Sequence, residues 1–236
     1  MRRSEAAAMI SIIVPTHNEE KRIRGTLLLL EDFLENKRVD YEVIVVDDGA
    51  DATAAIAGKI ARKNKRFQVL RFEKRQGKGG AIMRGMKAAK GDVVIYDADA
   101  SAPACEIPKL IEGLGKADVV VGSRKLPGSL VHGVPPVRMV TSALFSLIVR
   151  MLFNLGVRDT QCGFKAIRKA AAKKLLPQLE STGFVWDVEL LARAKKNKMR
   201  VLEVPIEWTF RAGGTMRPLD TLKMLADLLA LRRSLG

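Results

Sequence analysis

The stretch Val93-Val94-Ile95-Tyr96-Asp97-Ala98-Asp99 places four apolar residues directly before two carboxylates. The apolar run is typical of a buried strand, which we expect over 92–96. Because side chains alternate along extended backbone, Asp97 and Asp99 are predicted to point to the same side. Carboxylate oxygens suit Mg²⁺ or Mn²⁺, so this strand end is a candidate metal site.

Further short apolar strands alternate with helices on either side of this segment. In the first half, strands are predicted at 10–14, 41–46, 67–72 and 117–121, and helices at 19–34, 51–64, 78–89 and 105–114. Apolar strands that alternate with helices predict an α/β fold with a mostly parallel sheet flanked by helices.

The second half is less regular. Helices are predicted at 136–155, 165–176, 187–196 and 219–231, a strand at 200–207 and a loop at 156–163. We find no repeat and no low-complexity linker, and we expect a single domain over residues 1–236.

Polar residues follow two other predicted strands. Pro15-Thr16-His17-Asn18-Glu19 comes after the first strand and Asp47-Asp48-Gly49 after the second. Ligands of parallel α/β proteins bind at the carboxyl ends of the strands. Carboxylates gathered there would repel one another, so a cation or a ligand with many hydrogen-bond donors is implied.

A glycine-rich segment, Arg75-Gln76-Gly77-Lys78-Gly79-Gly80, opens the helix predicted at 78–89. Glycines at a helix start let backbone amides approach an anion, and Lys78 adds charge. The segment lacks the Gly-Lys-Ser/Thr of a phosphate-binding P-loop. No Gly-x-Gly-x-x-Gly follows the first strand, which counts against a nicotinamide dehydrogenase.

Charge and apolar helices indicate the surroundings of the protein. The 236 residues include 41 Lys and Arg against 26 Asp and Glu, a formal charge of +15, which attracts polyanions. Two cysteines fit a reducing compartment. No long uncharged apolar run is present, so we expect no transmembrane segment. The helices at 136–155 and 219–231 are apolar enough to lie in a bilayer interface, or to pack on the sheet.

Taken together, these motifs resemble those of family 2 glycosyltransferases, which have the GT-A fold. The resemblance is carried by Pro15-Thr16-x-Asn18-Glu19, Val46-Asp47-Asp48-Gly49, Gly77-Lys78-Gly79 and Asp97-Ala98-Asp99. In the second half, Gly122-Ser123-Arg124 and the string Arg158 to Lys165 resemble the dolichyl-phosphate sugar synthases. Asp-Thr-Gln-Cys-Gly-Phe-Lys at 159–165 is closest to the dolichyl-phosphate β-glucosyltransferases, with the mannosyltransferases next.

The resemblance implies a role for each matching residue. Residues 1–122 would bind the nucleotide-sugar, with donor contacts from Pro15, Thr16, Glu19, Asp47, Asp48, Lys78, Asp97 and Arg211. Residues 123–236 would bind the acceptor, and Arg124, Arg138 and Ser142 would hold its phosphate. Asp97 and Asp99 would bind Mg²⁺ or Mn²⁺. Asp99, Arg124, Arg138 and Asp187 are the candidate catalytic residues, with Asp187 or Glu189 orienting the sugar or the acceptor.

The expected reaction is inverting transfer of a hexose from a nucleotide-sugar to dolichyl or polyprenyl phosphate. UDP-glucose is the favoured donor and GDP-mannose the alternative; the mannosyl branch typically carries Gln where Ser101 stands. The expected location is peripheral, on the cytoplasmic face of a membrane.

Other classes of protein fit the sequence less well. A transferase with a soluble acceptor predicts polar residues around Arg138, where Val140, Leu144 and Phe145 stand instead. Nucleotidyltransferases open with a glycine-rich, arginine-containing loop, which 15–19 is not. A nucleic-acid-binding protein is the non-enzymatic alternative, but 5% aromatic residues are few for base stacking. We therefore expect no nucleic-acid partner.

Overall fold

The computed structural model describes residues 9–37, 39–213 and 218–235, and within them a mostly parallel sheet flanked by helices. The strands are β1 (Ile10–Thr16), β2 (Tyr41–Asp47), β3 (Phe67–Arg71), β4 (Asp92–Ile95), β5 (Val119–Ser123), β6 (Leu130–His132), β7 (Lys165–Ile167), β8 (Val201–Pro205) and β9 (Glu207–Thr209). The helices are α1 (Ile23–Asn36), α2 (Thr53–Lys63), α3 (Gly77–Ala88), α4 (Ile107–Leu114), α5 (Pro136–Phe153), α6 (Lys169–Leu175), α7 (Trp186–Lys196) and α8 (Pro218–Leu235).

The main sheet has seven strands in the order β3-β2-β1-β4-β7-β5-β8. All neighbouring pairs are parallel except those made by β7, which runs antiparallel to both β4 and β5. Strands β2, β1 and β4 are adjacent, so the polar segments that follow them lie side by side at one edge of the sheet. The predicted α/β fold is confirmed.

Burial on both faces explains why the central strands read as continuous apolar runs. Every residue of β2 is buried, and so is every residue of β1 except Pro15. One large core joins the sheet to the helices packed on it. A second, smaller core lies between α5, α7 and α8 and contains Phe145, Val149, Val188, Met224 and Leu228.

The helix predicted at 165–176 is wrong in its first part. Lys165–Ile167 forms β7, and α6 begins only at Lys169. Lys165 is completely buried, although lysine is usually a surface residue. The short Lys-Ala-Ile sequence carries no strand periodicity, and β7 is formed by pairing on both sides with β4 and β5.

The strand predicted at 200–207 is in fact two strands. Strand β8 ends at Pro205, and β9 leaves the sheet to pair with β6 in a separate two-stranded parallel ribbon. The predictions missed β6 altogether, because its three residues are all exposed and show no alternation of burial.

The two faces of α5 have different environments. Phe145 and Val149 face the small core, whereas Val137, Val140, Leu144, Leu147 and Met151 are exposed. By length and composition, α5 is the one helix among the described residues that could cross a membrane, with a mean hydropathy of 1.5 and 11% of its residues buried. In α8, Met224, Leu228 and Leu231 are buried, while Leu229 is exposed; the side chain of Leu222, expected in its apolar stripe, lies outside the described part.

Candidate active site

A cleft of about 920 Å³ opens where the loops after β1, β2 and β4 meet. Among the residues predicted for the site, those that line it are Pro15, Thr16, Glu19, Asp48, Lys78, Asp97, Asp99 and Arg138. The remaining predicted residues, Asp47, Arg124, Ser142, Asp187 and Arg211, do not line it. The cleft thus contains the acidic strand ends, the start of α3 and one arginine from α5.

Asp97 and Asp99 reach the cleft through a turn and not through extended backbone. Strand β4 ends at Ile95, the amide of Ala100 donates to the Asp97 carbonyl (3.1 Å), and Ala100 has a positive φ of 49°. The Thr26 hydroxyl of α1 donates to the Ala98 carbonyl (2.7 Å) and fixes the turn. The reasoning from alternation was therefore wrong, although both carboxylates line the cleft.

Lys78 and Asp97 form an ion pair inside the cleft. The Lys78 Nζ lies 2.7 Å from Asp97 Oδ1, and both side chains are about a quarter to a third exposed. Burial alone would raise the pKa of Asp97, but the Lys78 charge and hydrogen bond bring it below the ordinary value. Burial would likewise lower the pKa of Lys78, and Asp97 raises it instead. Both groups are therefore charged at neutral pH.

Gly163 packs directly against this ion pair. A Cβ at residue 163 would lie 2.4 Å from Asp97 Oδ2 and 2.8 Å from Lys78 Nζ, so no larger residue fits without displacing them. The loop 156–163 was predicted, and its contact with Asp97 explains the need for glycine at this position.

Glu19 adds negative charge to the same cleft. Helix α1 begins at Ile23, four residues later than predicted, because Glu19 starts a turn in which its carbonyl accepts from Arg22 and Ile23. Burial, followed by repulsion from Asp99, raises the pKa of Glu19 above 4.5, although Arg22 opposes the shift.

The two aspartates after β2 have different surroundings. Asp48 accepts hydrogen bonds from the amides of Gln76 (2.6 Å) and Gly77 (2.7 Å), and so holds the start of α3. Asp47 is fully buried and accepts from the Thr16 hydroxyl (2.9 Å), and burial raises its pKa. Asp47 therefore supports the loop from behind the cleft.

Arg124 is bound by a buried carboxylate. Asp159 accepts from its Nε (2.7 Å), its Nη2 (2.8 Å) and its backbone amide (3.0 Å), and Glu203 holds the amide of Asp159 (2.9 Å). Burial would raise the pKa of Asp159, but the bonds from Arg124 lower it. Among the described residues, the Nη1 of Arg124 has no hydrogen-bond partner.

Two aromatic rings orient the two arginines predicted for the acceptor. The guanidinium of Arg124 lies 5.1 Å from the Trp208 ring centroid and that of Arg138 lies 4.9 Å from the Phe210 centroid. The two rings are themselves 6.4 Å apart. Sequence reasoning missed this pair, because β9 gave no separate signal. Ser142, one turn after Arg138 on α5, is exposed.

Asp187 lies in a buried ion pair beside the cleft. The Lys165 ammonium donates to its carboxylate and to the carbonyls of Thr160 and Cys162. Asp187 is 6% exposed, so in this state its carboxylate is paired with Lys165. Its predicted role toward the sugar or the acceptor remains a prediction.

Arg211, predicted to contact the donor, does not line the cleft. Arg211 is exposed, and Arg22 donates to the carbonyl of the following residue, Ala212. Gly213 has a positive φ of 93°, while Gly214 lies outside the described residues.

Two other parts of the chain line the cleft. The loop 180–184 forms one wall, and Glu189 holds it by accepting from the amides of Glu180 (3.0 Å) and Ser181 (2.7 Å). Helix α8 contributes Lys223 and Asp227. In the sequence, the only sign that α8 contributes to the cleft is that Lys223 and Asp227 lie four residues apart and so share one face of the helix.

The donor set fits a divalent cation that completes its coordination with phosphate and water. Among the described residues no group of three His, Cys, Asp or Glu side chains is placed to hold a metal. Mg²⁺, however, is commonly bound by one or two carboxylates together with substrate phosphates. Asp97 and Asp99 supply two carboxylates, next to the start of α3, where the helix dipole favours negative charge. The hydroxyl of Ser101, two residues on, is buried and has no partner among the described residues.

Comparison with known proteins agrees with this arrangement. The chain is 35% identical over 211 residues to glycosyltransferase AglD of Haloferax volcanii, covering 86% of this chain and 33% of that protein. It is 31% identical to the dolichyl-phosphate β-glucosyltransferase of Saccharomyces cerevisiae, covering 94% of this chain and 74% of that protein. It therefore spans a third of the first relative and about three quarters of the second.

A solved structure shares the fold. Glucosyl-3-phosphoglycerate synthase of Mycobacterium tuberculosis, solved with Mn²⁺, UDP-glucose and phosphoglyceric acid, superposes with a TM-score of 0.68 at 23% identity, over 95% of this chain and 80% of that one. The family model described as glycosyl transferase family 2 matches residues 11–176. With the fold, the acidic strand ends and this match in agreement, the chain belongs to glycosyl transferase family 2.

Proposed function

We propose that the protein transfers glucose from UDP-glucose to dolichyl or polyprenyl phosphate and inverts the anomeric configuration. The observation that carries the proposal is one cleft shared by the carboxylates of Asp97 and Asp99, the start of α3 and Arg138. Arg138 comes from a helix whose outer face is apolar, which suits a phosphate carried on a lipid. Relatives named dolichyl-phosphate β-glucosyltransferases support glucose over mannose.

The donor would lie at the ends of β1, β2 and β4. Pro15, Thr16, Glu19 and Asp48 would surround the nucleoside, with Asp47 behind them, and Lys78 at the start of α3 would face the diphosphate. Arg211 would join when its loop closes. Asp97 and Asp99 would hold Mg²⁺ or Mn²⁺, which supplies charge neutralisation for the departing nucleoside diphosphate.

The acceptor would enter along α5. Arg138 and Ser142, one turn apart, can meet one phosphate, and the free Nη1 of Arg124 can add a second charged contact. A phosphate monoester has its second pKa near ~6, so it is already an anionic nucleophile at neutral pH. The protein therefore acts mainly by positioning the two substrates for direct displacement. Residues 1–122 would serve the donor and residues 123–236 the acceptor.

The proposed location is the cytoplasmic face of a membrane, with α5 lying in the interface. Phe145 and Val149 pack on the domain, and Arg138 reaches the cleft, so one face of α5 belongs to the folded protein. The opposite face is exposed and apolar. If α5 lies in the membrane interface, its inner face keeps its contacts with the protein and its outer apolar face enters the lipid. The formal charge of +15 favours binding to anionic headgroups. We propose no nucleic-acid partner.

A panel of labelled nucleotide-sugars tests the function directly. The protein is incubated with short polyprenyl phosphates, Mg²⁺ or Mn²⁺, and labelled UDP-glucose or GDP-mannose. We expect a β-linked lipid-phosphate glucose from UDP-glucose only. Product from GDP-mannose alone would assign the mannosyl alternative, and transfer to water-soluble acceptors without the lipid would contradict the proposed acceptor.

A further inference from the structure

We propose that Lys78 is an internal counter-ion that keeps divalent cations off Asp97 until a donor diphosphate draws the ammonium away. The inference rests on the proposed function, in which Asp97 and Asp99 hold the cation together with the diphosphate. It adds an order of events: the chain takes the cation and the nucleotide together and has low affinity for the cation alone.

The ion pair occupies the carboxylate that the cation needs. Lys78 Nζ donates to Asp97 Oδ1 at 2.7 Å, a charge-assisted hydrogen bond. Asp97 is the only carboxylate in salt-bridge range of Lys78 among the described residues. The other oxygen of Asp97 faces the backbone at Gly163, where even one added carbon would collide with it. In this state Lys78 occupies Oδ1, and Oδ2 lies close to Gly163, although the Asp97 side chain still lines the cleft.

Of the three described cations whose charges act on Asp97, Lys78 is the one that is able to leave. The charges of Lys78, Lys165 and Arg124 all act on Asp97. Lys165 is completely buried and bound to Asp187, and Arg124 is bound through three N–H groups to Asp159. The Lys78 side chain is 26% exposed and has Asp97 itself as its partner.

The place to which Lys78 can move lies beside it. Lys78 is the second residue of α3, and the positive end of the helix dipole attracts an anion there, although Asp48 already accepts from the amides of Gln76 and Gly77. A diphosphate bound there competes with Asp97 for the ammonium. When Lys78 turns to the diphosphate, Asp97 regains its free charge beside Asp99, and two carboxylates become available at the moment when phosphate oxygens complete the site.

Binding of Mn²⁺ without nucleotide, followed by electron paramagnetic resonance of the free ion, tests the inference on the full chain. Lys78→Met is expected to bind Mn²⁺ about fivefold more tightly than the wild type, the upper range for a partly exposed ion pair. The same variant is expected to bind UDP more weakly in the presence of a chelator. Damage to the fold would weaken both. An unchanged or lower Mn²⁺ affinity in Lys78→Met would overturn the proposal.

Three variants separate the ion pair from the general field of the protein. Lys87→Met removes the same charge from the exposed end of α3 and should leave Mn²⁺ affinity unchanged. Lys78→Arg keeps the charge and should behave like the wild type. Adding Asp97→Asn to Lys78→Met should abolish the gain. A gain in Lys87→Met equal to that in Lys78→Met, or a gain that survives Asp97→Asn, would refute the role of the pair.

The Mn²⁺ titration contains no nucleotide, so its result does not depend on the donor. If the wild type bound neither UDP nor GDP, the proposed donor would be wrong, while the comparison of Lys78→Met with Lys87→Met would still decide whether Lys78 shields Asp97. Thermal unfolding of each variant checks that the fold is retained.

Discussion

At the scale of single residues, Asp99 offers the cleft a carboxylate oxygen that is open to a ligand. Its Oδ1 accepts from the amide of Ser101 (2.9 Å), and its Oδ2 has no hydrogen-bond partner among the described residues. We expect Asp99→Ala to lower transfer by about a thousandfold or more, because charge on the leaving diphosphate loses its counter-charge. Turnover with labelled donor measures this.

The matched control is Asp32→Ala, which removes an exposed acid from α1 and should keep full activity. Both variants should unfold at about the wild-type temperature, since the Asp99 side chain makes only one hydrogen bond among the described residues. Metal-dependent turnover by Asp99→Ala would show that the cation is held elsewhere.

Glu19 is expected to lower the stability of the folded chain, because its charged carboxylate is partly buried in the cleft where it is proposed to contact the donor. Its pKa is raised in the folded chain, so the penalty is absent below the ordinary value near 4.5 and complete once the pH exceeds the folded pKa. Glu19→Gln should therefore raise the unfolding free energy at pH 7 by up to about 1 kcal/mol, which is about 2–4 °C in Tm. Near pH 4 this gain in stability should vanish. The Glu19→Gln variant is also expected to bind the donor more weakly than the wild type. Chemical denaturation at the two pH values measures the gain in stability; an equal gain at both would contradict the charge argument.

Sequence motifs located the residues at the strand ends but not the buried ion pairs. Asp97, Asp99 and Asp48 could be placed because each follows an apolar strand at fixed distance. The partners of Arg124 and Asp187 could not, because Asp159 and Lys165 lie 35 and 22 residues away in sequence. Each partner comes close only because β7 inserts antiparallel between β4 and β5.

At the scale of elements, α5 connects the cleft to the apolar surface. Arg138 lines the cleft, whereas Arg150 on the same helix does not. We expect Arg138→Ala to raise the acceptor KM, or to lower kcat, about tenfold or more while donor affinity stays unchanged, because a charged phosphate contact is lost. Arg150→Ala is the matched control. Steady-state kinetics with each substrate varied in turn separates the effects, and a selective loss of donor affinity would mean that the two subsites were assigned in reverse.

The exposed face of α5 should carry membrane attachment. Leu144 and Leu147 are 59% and 51% exposed. Changing both to Glu should weaken binding to anionic vesicles about tenfold or more, since two leucines no longer enter the interface. Changing Leu28 and Leu29 of α1, which are also exposed, to Glu is the control for added negative charge. Equal losses in cosedimentation for the two pairs would indicate attraction by charge alone.

At the scale of the whole molecule, the formal charge of +15 should make membrane association depend on salt. We expect vesicle binding to fall about tenfold between low salt and about 0.5 M NaCl, because the Debye length shrinks below the spacing of exposed charges. The part of the affinity that persists at high salt measures the apolar contribution of α5. Cosedimentation over a salt series gives both, and binding that ignores salt would leave the basic surface without a role.

The sheet was largely predictable because its parallel strands are buried on both faces and therefore read as apolar runs. Their alternation with helices gives the α/β class without further information. The ribbon of β6 and β9 and the start of β7 were not predictable, since three-residue strands are defined by their neighbours and not by their own periodicity.

Strand β7 has a consequence for how the chain is made. It comes late in the sequence yet lies between β4 and β5, which were synthesised long before it. Until residues 165–167 leave the ribosome, those two earlier strands have no partner on their facing edges, and such edges invite pairing with other chains. A nascent chain truncated before residue 165 should thus be a substrate for chaperones, because β4 and β5 can be joined only once β7 has been made.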